Sequence, residues 1–234
     1  MSEKISLPLS IIIAGLLIAG GIYWNGKITK ENPTPTQRQQ LTSENIAETI
    51  RPIDVNDHIL GSSDARILVV EYSDTECPFC KIFHNTMLTI MQEYGKEEKV
   101  AWVYRHFPIA ELHSKSFNEA VAQECAGNLG GNSKFWEYTN KLYEVTPSNN
   151  DLDPAELTKI ATEVGLSSTA FNVCLESGEF DPKVNFDIQN AQEIGITGTP
   201  HSIIIDTKTN EYHTIEGAYP YIQIKTAIDL ILSQ

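Results

Sequence analysis

Two cysteines three positions apart, Cys77 and Cys80, enclose Pro78 and Phe79. Ahead of them lies the apolar, β-branched run Ile67–Tyr72, which reads as a buried strand. A short polar loop follows, and the cysteines then open a long amphipathic segment that reads as a helix. Two thiols one helical turn apart can close a disulfide and reopen it. A sulfur at a helix start is favoured as thiolate by the macrodipole and the free backbone N–H groups. Proline suits that first turn. Cys77 is therefore the expected attacking and attacked sulfur, and Cys80 its deeper, resolving partner. The same spacing also serves structural zinc, which needs two further ligands. His84 stands four residues beyond Cys80, but no second Cys-x-x-Cys and no His-x-x-x-His completes a set, so no metal is expected.

Glu71 sits in a strand that is apolar on both faces. An ionised carboxylate buried there is costly, so its pKa should rise. Asp74 and Glu76, in the polar loop, read as solvated charges that slightly oppose a thiolate at Cys77. Thr199-Pro200 precedes another apolar run, and His201 reads as a packed strand side chain. Cys125 and Cys174 both fall on inward helical stripes. They are either two packed thiols or, in an oxidising compartment, a bonded pair. Closing that loop stabilises by roughly 4 kcal/mol on the chain-entropy view. Arg105 and His113 read as structural.

The elements that must position these groups follow in order. Ile53–Leu60 contains a short edge strand, and Ile67–Tyr72 is the first long one. The helix after Cys77 places Phe79, Ile82, Phe83, Met87, Ile90, Met91 and Tyr94 on one face before Gly95. Val100–His106 is the next strand. His113–Gly178 is helical throughout, in four pieces, with stripes such as Phe117, Ala120, Val121 and Cys125. A helix from Asp181 to Gly195, a hairpin of Ser202–Asp206 with Tyr212–Glu216, and a helix opened by Pro220 complete the chain. This order packs as an α/β sheet covered on both faces.

The N-terminus adds a different signal. Ile5–Trp24 carries no charge, and at about 1.5 Å per residue it matches a hydrocarbon core roughly 30 Å thick. Ala19-Gly20-Gly21 is a weak cleavage candidate, so residues 1–24 are expected to remain as a signal anchor. Residues 25–51, rich in proline and glutamine at first, are expected to be a flexible linker. Lys4 on one side and Lys27 and Lys30 on the other leave the orientation open. The formal charge of -14 argues against a nucleic-acid surface, which should be basic.

From Pro52 to Gln234 the sequence resembles the DsbA-like thiol:disulfide oxidoreductases of the thioredoxin superfamily. Three stretches carry the resemblance: Cys77-Pro78-Phe79-Cys80 after a strand, Gly198-Thr199-Pro200 before a strand, and a helical insertion with Cys125-Ala126 and Phe135-Trp136-Glu137-Tyr138. The resemblance implies a thioredoxin fold, residues 52–112 and 179–234, with an inserted all-helical domain at 113–178, preceded by the transmembrane helix. It implies a cis peptide at Thr199-Pro200, where the backbone, with Pro78 and Phe79, holds an extended substrate. It gives Glu71 the role of proton partner and needs no cofactor beyond the redox-active Cys77–Cys80 disulfide. Its partners are unfolded or reduced exported proteins and, as reoxidant, a membrane quinone-linked thiol oxidase. It places the globular part outside the cytoplasm, single-pass on a bacterial cell membrane. The expected activity is a dithiol oxidase that introduces disulfides. A reductase or isomerase shares every one of these residues, and a thiol metal carrier using Cys77, Cys80 and His84 or His106 is the rival of another class.

Overall fold

The structure is a computed structural model and describes residues 43–234. Its centre is two parallel strands, β2 (Ile67–Ser73) and β3 (Val100–His106), joined by helix α2 (Pro78–Tyr94). All seven residues of each strand are buried, as a parallel pair covered on both faces requires. A three-residue strand β1 (His58–Leu60) pairs antiparallel with β3 on one side. On the other side the hairpin of β4 (His201–Asp206) and β5 (Glu211–Glu216) continues the sheet, giving the order β1-β3-β2-β4-β5.

Alternation along β2 sends successive side chains to opposite faces. Ile67, Val69 and Glu71, with Trp102 and Tyr104 from β3, face α2 and helix α7 (Tyr221–Leu232). Val70, Tyr72 and Val103 face helix α6 (Asp181–Ile194) and helix α1 (Ser43–Thr49). Between β3 and α6 lie helices α3 (Ser116–Val145), α4 (Ala155–Glu163) and α5 (Ser168–Ser177), which share a second core. Cys125 on α3 and Cys174 on α5 are joined by a disulfide. The choice between two packed thiols and a bond thus falls to the bond.

Helix α3 doubles back on itself at Gly131, whose φ of 76° and ψ of -176° interrupt the helix. The Gln123 side-chain amide donates to Thr139 Oγ1 at 2.9 Å. Sixteen residues of straight helix would hold those groups about 24 Å apart. Both ends of α3 therefore return to the same side of the insertion.

Two expectations need correction. The linker expected through residue 51 gives way at Ser43 to α1, because Ile46 and Ile50 find apolar cover between β5 and α6 and are buried. On α2, Phe79 and Ile82 are 61% and 56% exposed. The buried stripe runs instead through Cys80, Phe83, His84, Met87, Ile90, Met91 and Tyr94, since the sheet lies under that side of the first turn. The anchor expected at 1–24, and the linker up to residue 42, lie outside the described residues. No helix among the described residues is long and apolar enough to cross a membrane.

Candidate active site

Cys77 is the N-cap of α2, with extended backbone (φ -78°, ψ 120°), and Pro78 occupies the first turn. Both thiols are free here, Cys77 with 6% of its surface open and Cys80 with none. The two sulfurs differ in chemistry. The Cys77 thiol is pulled down to about 6, first by the hydrogen bond it receives from Cys80, which outweighs partial burial, and further by the backbone N–H groups of Cys80 and Phe79 and the Thr199 side chain. The unshared N–H groups of a helix start thus act on one sulfur only. Cys80 is pushed well above the usual thiol range by burial, then by its bond to Cys77 and by the charges of Cys77 and Glu71.

The peptide between Thr199 and Pro200 is cis. It brings the Thr199 carbonyl oxygen to 3.5 Å from Cys77 Sγ, the thiol donating. The Thr199 hydroxyl is buried without another partner, so it is available to the thiolate. The Pro200 carbonyl accepts the Gly217 N–H at 2.9 Å, which ties this loop to the end of β5. Phe79 projects to solvent beside Cys77. The expected substrate-binding residues Pro78, Phe79, Thr199 and Pro200 therefore gather around one sulfur.

Glu71 is fully buried on the α2 face of β2. Ser73 Oγ donates to its Oε1 at 2.6 Å and Trp102 Nε1 to its Oε2 at 2.9 Å. Among the described residues no cation pairs with it. Burial lifts its pKa to about 7, against the two hydrogen bonds that lower it, and the charge of Cys77 adds to the rise. Ser73 Oγ is also 2.9 Å from Tyr143 Oη on α3, and Tyr143 Oη is 3.0 Å from Tyr104 Oη. A hydroxyl chain thus runs from Glu71 into the insertion.

The loop before Cys77 differs most from expectation. Asp74 and Glu76 are 1% and 0% exposed, not solvated. Asp74 Oδ1 accepts the Glu76 N–H, and its Oδ2 accepts the Ile109 N–H and faces His113 Nδ1 at 2.9 Å. Glu76 Oε2 accepts the Asn150 N–H at 2.6 Å. The insertion covers the loop, and its partners come from 35 to 74 residues away in sequence. No local pattern carries that information.

The histidines of the metal-carrier reading are engaged elsewhere. His84 is stacked on Tyr143 at 4.3 Å, with Nε2 2.9 Å from Asn140 Oδ1, and burial lowers its pKa to about 4. His106 Nε2 lies 2.8 Å from Glu124 Oε1. Among the described residues no three His, Cys, Asp or Glu side chains are grouped to hold a metal. His201 is buried, as its place in the strand suggested.

A parallel βαβ unit with a dithiol at the helix start, facing a cis-proline loop, defines a thioredoxin-fold dithiol protein. The thioredoxin family model matches residues 54–224, and the chain belongs to that family. Among solved structures it is similar to Pseudomonas aeruginosa DsbA2 (27% identity, 77% of this chain and 97% of that one, TM-score 0.63). It is similar also to oxidised BdbD from Bacillus subtilis (25% identity, 80% and 98%, TM-score 0.68). These neighbours agree with the DsbA-like resemblance of the sequence. Among curated proteins it is similar to the Na(+)/H(+) antiporter NhaA 1 of Mycolicibacterium gilvum, 31% identical over 154 residues that make up 64% of this chain. The chain spans about a quarter of the length of these antiporters.

Proposed function

We propose that the protein is an extracytoplasmic thiol:disulfide oxidoreductase, tethered to the membrane by residues 1–24, that oxidises dithiols in exported proteins. The observation that carries the direction is the inequality of the two sulfurs. A Cys77 pKa near 6 leaves roughly nine-tenths of that thiol ionised at pH 7 in the reduced protein. Whatever stabilises the reduced form makes the disulfide a stronger oxidant.

The steps follow from burial and proton affinity. A substrate thiolate attacks Sγ of Cys77, the sulfur with open surface, and the Cys77–Cys80 bond breaks. The electron pair goes to Cys80, which is enclosed and cannot stay charged, so Glu71 in its acid form supplies the proton. The substrate's second thiolate attacks its own sulfur in the mixed disulfide, and Cys77 leaves as the stabilised thiolate. Two electrons have entered the enzyme and the substrate holds a disulfide. The exposed Phe79 and the Thr199-Pro200 backbone suit an extended, unfolded chain. Reoxidation falls to a membrane quinone-linked thiol oxidase. The BdbD and DsbA2 likenesses support this reading.

Equilibration with glutathione buffers tests the direction. The expected reduction potential is well above that of thioredoxin, about -270 mV; a value near or below it overturns the oxidase reading. Turnover of a reduced, unfolded protein should vanish in Cys77→Ser.

A further inference from the structure

Glu76 and Glu119 meet across the seam between the loop that ends in Cys77 and helix α3. Both are buried, at 0% and 2%. Glu76 Oε2 is satisfied by the Asn150 N–H, but no donor among the described residues reaches Glu76 Oε1. Glu119 Oε2 accepts the hydroxyl of Thr75, the residue next to Glu76, at 2.5 Å, which sets the two carboxyls side by side, and Glu76 is the charged, hydrogen-bonding neighbour that acts on Glu119. Two ionised carboxylates can only accept, so this contact would be repulsive in a site closed to water. One proton between them makes it a short, charge-assisted hydrogen bond.

We propose that Glu119 is a positioning residue for Cys77: its carboxyl stays protonated and donates to Glu76, clasping the residue before the nucleophile to the helical insertion with a single negative charge. The inference rests on the thiol-exchange reading for its consequence and on the seam alone for the shared proton. Among the described residues the surroundings supply no cation to do this instead. Asp74 stands close enough to add to the repulsion on Glu119, and among the described residues its ionisable side-chain partner is His113. Tyr138 approaches from the returning half of α3, its pKa raised well above the usual range by burial first and then by any charge on Glu119. Lys115 turns its ammonium to the Leu152 carbonyl, and Lys81 of α2 turns its own to the carbonyls of Glu144 and Thr146. The 148–150 loop offers backbone N–H groups. Burial, followed by the hydrogen bond to Glu76 and the charges of Glu76 and Asp74, lifts Glu119 to about 8 against the Thr75 hydroxyl. At neutral pH the proton is in place. When it leaves, a second charge stands behind Cys77, disfavours the thiolate and makes the disulfide a weaker oxidant.

Two measurements test this independently. The first is an infrared difference spectrum, native side chain minus Glu119→Gln, in a Cys77→Ser/Cys80→Ser background that cannot exchange thiols. A protonated-carboxyl C=O band at pH 7 that disappears by about pH 9 is expected. Its absence overturns the clasp, whatever the enzyme does. The second is the pH profile of the reduction potential in the otherwise native protein. An inflection near Glu119's pKa of about 8 is expected in the native chain and lost in Glu119→Gln, whose amide keeps the donor but cannot ionise. Superimposable profiles overturn the positioning role. Should Glu119→Gln fail to fold, Glu76→Gln replaces it and should move the inflection down by about one pH unit; an unmoved inflection overturns the proposal. A chain that exchanges no thiols yet shows the infrared band would instead overturn the proposed function and leave the clasp standing.

Discussion

Glu71 and Asp57 are buried carboxyls on opposite faces of the same two strands, and they are held in opposite states. Asp57 lies on the α6 face, where Arg105 donates to it through Nε and Nη2 at 3.0 and 3.1 Å and Arg51 through Nη2 and Nη1 at 2.6 and 3.0 Å. Burial pushes Asp57 upward, but the hydrogen bonds and charges of Arg105 and Arg51 outweigh it and hold the group below its usual range. Glu71 is enclosed still more completely, with two neutral donors and, among the described residues, no cation, so burial wins. Burial alone therefore does not leave a carboxyl able to titrate near neutral pH. Withholding a cation does, and the sheet separates a permanently charged, structural face from one that can titrate near neutral pH.

The comparison can be broken most severely at Arg105. Arg105→Met leaves Asp57 buried with one partner fewer and should cost about 3–5 kcal/mol of unfolding free energy. A loss under about 1 kcal/mol in a denaturant titration would mean that the network is not holding that face. Next comes the pH dependence of stability of the reduced protein, where the two acids carry opposite signs. Asp57, with its pKa lowered, contributes stability that is present above the unfolded carboxylate pKa and lost as pH falls through its folded pKa. Glu71, with its pKa raised, contributes stability that is complete below the unfolded value of 4.5 and lost as pH rises through about 7. Between pH 5 and 8 the native protein should therefore lose on the order of 2 kcal/mol more than Glu71→Gln does. Parallel curves would show that Glu71 does not titrate in the fold. Glu71→Gln should also slow disulfide exchange by about a hundredfold near pH 7, as a lost acid–base group does at the low end of its range. The smallest effect is expected from Ser73→Ala, which removes one donor to the Glu71 carboxylate. Its apparent pKa, read from the pH dependence of exchange, should rise by about one unit.

Much of this arrangement was legible in the sequence because it is local. The Cys77–Cys80 spacing at a strand-to-helix turn, the burial of Glu71 inside an apolar run, and the hairpin after Thr199-Pro200 all depend on neighbours a few residues away. What escaped was set by distant contacts. Asp74 and Glu76 look solvated in any local window, and only the insertion folding over them makes them buried. Ile46 and Ile50 read as linker because their cover comes from β5 and α6. Phe79 and Ile82 fit a helical stripe by spacing but overhang the edge of the sheet. Arg105 was read as structural without its partners, since Asp57 and Asn190 lie 48 and 85 residues from it.

The reversal of α3 at Gly131 bears on how such proteins can be recombined. Because the helix folds back, one end delivers Glu119 to the loop behind Cys77 and the other delivers Tyr143 to Ser73 beside Glu71. The insertion is thus wired into the reaction centre at both ends and is not a detachable cassette. A chimera that grafts a relative's helical segment between β3 and α6 would inherit a foreign proton inventory around both cysteines. Exchange across this family should therefore keep the insertion and the 71–77 segment together as one heritable block.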